Sequence, residues 1–182
     1  MFKLILFSMR PLDWTKNLFV FVPLVFSQNL FNIRLFIYAL SASLIFCLAS
    51  SSIYITNDIK DRDEDKAHPI KANRPVASQS LSAKNAAAAA LILHAGCLIL
   101  SWFISPGFML IVVLYLLLHI LYSFFLKKVV VLDVMVIAAG LVLRVLAGSA
   151  AIRIETCPWI LLCTAQIAFF FALTKRRQEA IA

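Results

Sequence analysis

Apolar runs long enough to cross a bilayer alternate with short polar segments along this chain. A helix needs about 20 apolar residues to span the hydrocarbon core. On that measure six spans are expected, at residues 14–30, 35–56, 86–104, 108–126, 132–152 and 158–174. The first is short and carries Pro23. Ser105-Pro106-Gly107 reads as a tight turn, so the third and fourth spans form a hairpin. Ser80 and Ser82 precede a helix-favouring alanine run and are candidate N-caps of the third helix. The expected fold class is all-α, a multispanning transmembrane helical bundle forming a single domain over residues 1–182.

Composition agrees. The chain is 63% hydrophobic with a mean hydropathy of +0.94, whereas soluble domains are nearer half apolar. There is too little polar sequence to coat a soluble globule. The four cysteines form no metal-ligand or CxxC spacing and read as small packing residues. The net charge of +8 does not point to nucleic acid, because the basic residues are distributed by side of the membrane. With the N-terminus inside, fourteen of the 17 Lys and Arg residues fall on the inner side. Arg34 and Arg153 fall outside, and Arg144 lies within a span. The positive-inside rule therefore places the N-terminus and the polar segment at 57–84 in the cytoplasm, with the chain multi-pass in the cell (inner) membrane.

That polar segment begins NDIKDRDEDKAHPIKANRPVAS, Asn57 to Ser78. If the second helix continues past Thr56, then at 100° per residue Asn57, Asp58, Asp61 and Asp65 share a sector of about 100°. Glu64 falls near it and Asp63 points away. Carboxylates on one helix face repel one another, and a hard cation with oxygen ligands relieves this. A Ca²⁺ EF-hand is a poor fit: with Asp61 first, Lys66 stands where Gly is needed and Ala72 where Glu is needed. Mg²⁺ takes few carboxylates and completes its shell with water and phosphates. Lys66, Lys71 and Arg74 follow closely and suit a phosphate. A solvated mixed-charge loop is the competing reading; the one-face spacing favours the metal.

The stretch Asn57–Asp65, NDIKDRDED, resembles the NDxxDxxxD motif of the UbiA-type intramembrane prenyltransferase superfamily, with Asp58, Asp61 and Asp65 at its acidic positions. RPLDWTKNLFVFVPLVFS, DKAHPIKANRPVAS and YSFFLKKVVVLDVMVIAAGLVLRVLAGSAAI resemble segments of its decaprenyl-phosphate phosphoribosyltransferase branch, and the likeness covers essentially the whole chain. The resemblance implies about nine helices, so six would leave the C-terminal third absent. It also implies Mg²⁺ as cofactor, held by Asp58, Asp61 and Asp65, which would be the catalytic residues, with Asn57 orienting. The implied partners are phosphoribosyl pyrophosphate, a polyprenyl phosphate and the bilayer. The lipid phosphate would attack the ribose anomeric carbon through an oxocarbenium-like transition state and release diphosphate. Lys66, Lys71 and Arg74 are candidates for the donor phosphates. Lys16 and Asn17 are candidates to line the same cavity.

One departure bears on the substrate. Most superfamily members carry a second acidic motif, DxxxD, after the sixth span. Here the matching place reads LTKRRQEA, where Lys175, Arg176 and Arg177 replace most of the acid. A basic cluster binds anions directly, so Lys175 and Arg176 are candidates for a second phosphate-bearing substrate; a positive-inside stop after the last helix is the alternative. Arg144 is a charge deep in a span, either functional or paired with a buried polar group. Tyr122, Lys127 and Asp133 cluster at the inner ends of two spans, with an interfacial Lys127–Asp133 ion pair as the plainer account. His94 and His119 read as packing residues, and His68 lies in the polar loop before Pro69. Two other functions stay open at this level: prenyl transfer from a diphosphate to an aromatic or other acceptor, and an inactive fragment or divalent-cation-binding membrane protein. The sequence leaves oligomeric state and polyprenyl length open.

Overall fold

The computed structural model describes residues 1–124 and 130–181, without the side chains of 130, 175, 176 and 178–181. Among the described residues every regular element is helical: α1 (Phe2–Ser8), a 3₁₀ helix (Pro11–Phe21), α2 (Val22–Phe26), α3 (Ile33–Lys60), α4 (Arg62–Lys66), a 3₁₀ turn (Lys71–Asn73), α5 (Ala83–Ile104), α6 (Pro106–Phe124), α7 (Val130–Ile152) and α8 (Pro158–Ile181). Helices α3, α5, α6 and α7 are long and apolar enough to cross a membrane; the apolar part of α8 is the shorter stretch Pro158–Thr174. The chain is a multi-pass membrane protein. Its outward side chains, among them Leu91, Ile92, Trp102, Phe103 and Phe170, are large and apolar, as a lipid-facing surface requires.

Five of the six expected spans are regular α-helices. The first, expected over 14–30, is not: an 11-residue 3₁₀ helix leads into the short α2. Runs of 3₁₀ beyond three or four residues are uncommon, so tertiary contacts must hold this one. The carbonyl of Val20 shows how. In a 3₁₀ turn it would accept from the N–H three residues on, but that residue is Pro23, which has none. The carbonyl points instead at Gly148 of α7, where a Cβ would stand 2.0 Å from it. The small residues Ala147, Gly148 and Ala151 give α7 the close approach that membrane helices use in place of a hydrophobic driving force.

Helix α3 organises the rest. Asn32 caps its start, accepting from the Leu35 N–H at 3.3 Å. At 28 residues it is about 42 Å long, longer than the hydrocarbon core of about 30 Å. Its last turn, from Asn57 to Lys60, is its polar end. Its buried hydroxyls are satisfied in two ways: Ser50 donates to Phe46 O at 2.8 Å and Ser52 to Ala49 O at 2.7 Å along the helix, while Ser43 donates to Asn17 O and Ser51 to Met9 O across to the N-terminal segment. The main core gathers Phe46, Phe108, Val112, Tyr115, Ala147 and Val20. Helices α5 and α6 form the expected hairpin with Ser105 between them; Ser105 donates to Ala150 O and accepts from the Phe108 N–H, both at 3.1 Å. Of the two candidate caps, Ser82 is the one that caps α5, accepting from Asn85 N at 3.3 Å.

Candidate functional site

The site lies where α3 leaves the apolar layer. The helix runs unbroken through Asn57 and Asp58, turns at Asp61 and resumes as α4. This brings Asp65 back toward Asp58, as the periodicity of the acids predicts. Both side chains are buried, 2% and 5% exposed. Buried carboxylates need partners, and two guanidiniums supply them. Arg74 Nη1 donates to Asp65 Oδ2 at 2.7 Å and to Asp58 Oδ1 at 3.3 Å. Arg10 Nη2 donates to the same Asp58 Oδ1 at 2.5 Å.

The placement of Arg74 follows from packing. Val76 and Leu81, just beyond it, bury against Ile55 and Ala86, and Leu4, Ile5 and Met9 of the N-terminal segment cover the same cluster. The polar loop is thus nailed to α3 and α5 by two apolar residues, and Arg74 is held over the acids. Arg10 arrives from the joint between α1 and the 3₁₀ helix, with its guanidinium 5.0 Å from the Tyr54 ring centre.

The remaining sequence candidates divide. Asp61 is partly buried at the α3–α4 junction and has an interaction partner of its own. Asp63 points outward, as expected, paired with Lys66 at 3.2 Å and Arg62 at 3.4 Å. The hydrogen bond from Lys66, then that from Arg62, holds its carboxyl below the ordinary range. Lys66 and Lys71 are exposed at the rim. His68 Nδ1 accepts from the Ile70 and Lys71 N–H groups and so shapes the turn. Lys16 is half-exposed and bound to Asp13 at 2.5 Å. Tyr122 donates to Asp133. Lys127 lies outside the described residues, as do the side chains of Lys175 and Arg176.

Asn17 and Arg144 meet deeper in the bundle. Arg144 Nε donates to Asn17 Oδ1, Nη2 to Tyr115 Oη and Nη1 to Gly140 O, each at 2.8 Å. The Asn17 amide donates onward to Cys47 Sγ at 3.2 Å and Ser50 Oγ at 3.3 Å. Among the described residues the hydrogen-bond partners of Arg144 are neutral. The network joins the 3₁₀ helix, α3, α6 and α7, and places Arg144 and Asn17 in a layer below the acids. Arg10 and Tyr115 belong to these two layers, and the sequence reading counts Arg10 only as topological charge.

The donor set fits Mg²⁺ in kind. Asn57 Oδ1, one residue before Asp58, is buried and has no hydrogen-bond partner among the described residues. With Asp58 and Asp65 it offers the few oxygens that Mg²⁺ takes from protein when phosphate and water complete its shell. Among the described residues no three His, Cys, Asp or Glu side chains converge as a metal cluster; Arg10 and Arg74 hold the carboxylates.

A helical membrane bundle with paired carboxylates and guanidiniums at the surface end of its longest helix defines the class: an integral membrane protein with a charged site at the lipid–water boundary. Over residues 18–178 the chain matches the UbiA prenyltransferase family, and it belongs to that family of transferases. It is 34% identical over 176 residues to a decaprenyl-phosphate phosphoribosyltransferase from Mycolicibacterium smegmatis, covering 94% of this chain and 55% of that protein. It is 35% identical over 178 residues to one from Corynebacterium glutamicum, covering 96% and 54%. The chain thus spans about half the length of these curated relatives. The solved structure of a UbiA homolog from Archaeoglobus fulgidus bound to GPP and Mg²⁺ superposes with a TM-score of 0.76 at 20% identity, over 92% of this chain and 60% of that one, which establishes the shared fold.

Proposed function

We propose that this chain carries the site for Mg²⁺-dependent transfer of a 5-phosphoribosyl group from phosphoribosyl pyrophosphate to a polyprenyl, decaprenyl-type phosphate at the cytoplasmic face of the inner membrane. The observation that carries the reading is the 34% identity, across 94% of the chain, to a protein of that named activity. The chemistry of the site supports it. Asp58, Asp61 and Asp65, with Asn57 beside them, would hold Mg²⁺ against the donor diphosphate. Bound there, Mg²⁺ supplies charge neutralisation for the leaving diphosphate.

The protein's own groups do the rest. Arg74 fixes the two buried carboxylates relative to one another, and its planar donor fork suits phosphate. Lys66 and Lys71 stand at the rim, where a long-reaching ammonium meets an entering polyanion. The acceptor phosphate is already anionic, so no strong general base is required. The carboxylates would also stabilise the positive charge that develops on the ribose ring. Asn17 and Arg144 are proposed to shape the wall beneath the site, and Lys175 and Arg176, in the C-terminal part of α8, to meet the second phosphate.

The test uses membranes containing this chain, Mg²⁺, phosphoribosyl pyrophosphate labelled in the ribose, and a polyprenyl phosphate. Label should enter the lipid phase and vanish with chelator or in Asp61→Asn. A wild-type chain that transfers no ribose label, yet transfers a labelled prenyl group from its diphosphate, would replace this reading with prenyl transfer.

A further inference from the structure

We propose that Arg10 is an exchangeable counter-ion: it holds the Asp58 carboxylate until a divalent cation takes it, and its guanidinium then binds phosphate oxygens of the donor. The proposal rests on the metal–diphosphate reading above.

Charge balance is the first argument. Apart from Asp61, which is only partly buried and has a partner of its own, the cluster sets Asp58 and Asp65 against Arg10 and Arg74, two buried anions facing two cations. A divalent cation entering alone would leave excess positive charge in a poorly solvated place. A divalent cation entering with a diphosphate would not. A guanidinium that gives up its carboxylate therefore has an anion to turn to, and its donor geometry suits one.

The bonding pattern says which guanidinium is free to move. Arg74 grips two carboxylates. Arg10 grips one oxygen, and Arg74 already serves that oxygen. Releasing Arg10 leaves Asp58 with a partner; releasing Arg74 would break the bonds to Asp58 and Asp65 together.

The backbone points the same way. Arg10 sits at φ 50° and ψ 66°, in the left-handed region that residues other than Gly, Asn and Asp seldom occupy. It also precedes Pro11, where extended backbone is the ordinary choice. Arg10 is thus held off its preferred conformation at a joint between two helices, on a different element from the carboxylates. The Tyr54 ring already lies 5.0 Å from the guanidinium while Arg10 holds Asp58, so a favourable contact stays within reach of the cation when the carboxylate is given up.

The test measures Mn²⁺ and inorganic diphosphate binding to the purified full chain in lipid nanodiscs, following free Mn²⁺ by electron paramagnetic resonance. Arg10→Gln keeps an amide donor toward Asp58 and guards against a misfolded Arg10→Ala; Lys84→Gln, at the exposed start of α5, is the control. Both Arg10 variants should bind Mn²⁺ alone more tightly than wild type. At saturating Mn²⁺ they should bind diphosphate about tenfold more weakly, the size of one charge-assisted hydrogen bond. Lys84→Gln should change neither. A residue that only supports the fold would weaken both. Mn²⁺ affinity unchanged or reduced in Arg10→Gln, or unchanged diphosphate affinity, overturns the proposal alone. Wild-type chain that binds no Mn²⁺ overturns it together with the metal reading.

Discussion

Arg144 Nε and Asn17 Oδ1, 127 positions apart in sequence, meet at 2.8 Å inside the bundle. The bond ties α7 to a 3₁₀ helix that lacks the intrinsic stability of an α-helix. Interhelical hydrogen bonds in membranes contribute about 0.6 kcal/mol each on average and up to about 1.7. Arg144→Ala removes the bonds to Asn17 and Tyr115 together, so a loss of about 1–3 kcal/mol is expected. The measurement is thermal unfolding in detergent. Arg144→Lys should lose nearly as much, because a single ammonium cannot reproduce the planar fork. An unchanged midpoint in both would remove the pinning role.

The acid cluster predicts a loss of rate with little loss of fold. Asp58→Asn keeps shape and hydrogen-bonding capacity but deletes the charge that Arg10 and Arg74 share. Transfer of ribose label should fall by about 10²-fold or more, the scale seen when one aligned electrostatic group is removed from a reacting centre. Arg74→Lys should fall too, since Lys offers a point charge where Arg74 spans Asp58 and Asp65. Full activity in Asp58→Asn would remove this cluster from the mechanism.

How much of this was legible before the structure depends on the range of the interactions. The apolar runs locate five of the six expected helices, four of them long and apolar enough to cross a membrane, because each is a local property of 17 or more residues. The convergence of Asp58 and Asp65 is largely local too: the helix repeat puts both on one face, and the turn at Asp61 and the bridge from Arg74 complete it. The first span fails because apolar residues do not distinguish a 3₁₀ from an α-helix; the decision is made by Gly148 and Arg144 on α7, more than 120 residues away. Arg10 was illegible for the same reason. Its contact with Asp58 crosses 48 residues, and its one sequence cue, an Arg before Pro at a membrane-surface end, reads equally well as topological charge.

Asp63 supplies the control within the same stretch. Lys66 and Arg62 hold its carboxyl below the ordinary value of 3.8. A carboxylate depressed in the folded state stabilises the fold above its unfolded pKa, and that contribution is lost as pH falls through the folded value. Asp63 is 77% exposed, so water and salt screen the pairs. Asp63→Asn should leave the pH–activity profile between pH 5 and 8 superimposable on wild type. A profile displaced in Asp63→Asn would show that the outward acid communicates with the site.

Gly148→Ala tests the contact that makes the first span possible. A Cβ at Gly148 would stand 2.0 Å from Val20 O, 2.9 Å from Val20 C and 3.2 Å from Pro23 Cδ. These are backbone and ring atoms, with no flexible side chain to yield. The 3₁₀ helix must lift from α7, and with it the bond from Arg144 to Asn17 lengthens or breaks. Overpacking of this kind costs about 1–3 kcal/mol, and loss of the coupled hydrogen bond adds about 0.6–1.7. The unfolding midpoint in detergent should therefore drop at least as far as in Arg144→Ala. The double variant should fall short of the sum of the two, because each single change already releases the same element. Gly107, where a Cβ meets only Ala150 Cβ at 3.9 Å, should accept alanine without such loss. A Gly148→Ala chain as stable as Gly107→Ala would mean that the 3₁₀ segment does not lie against α7.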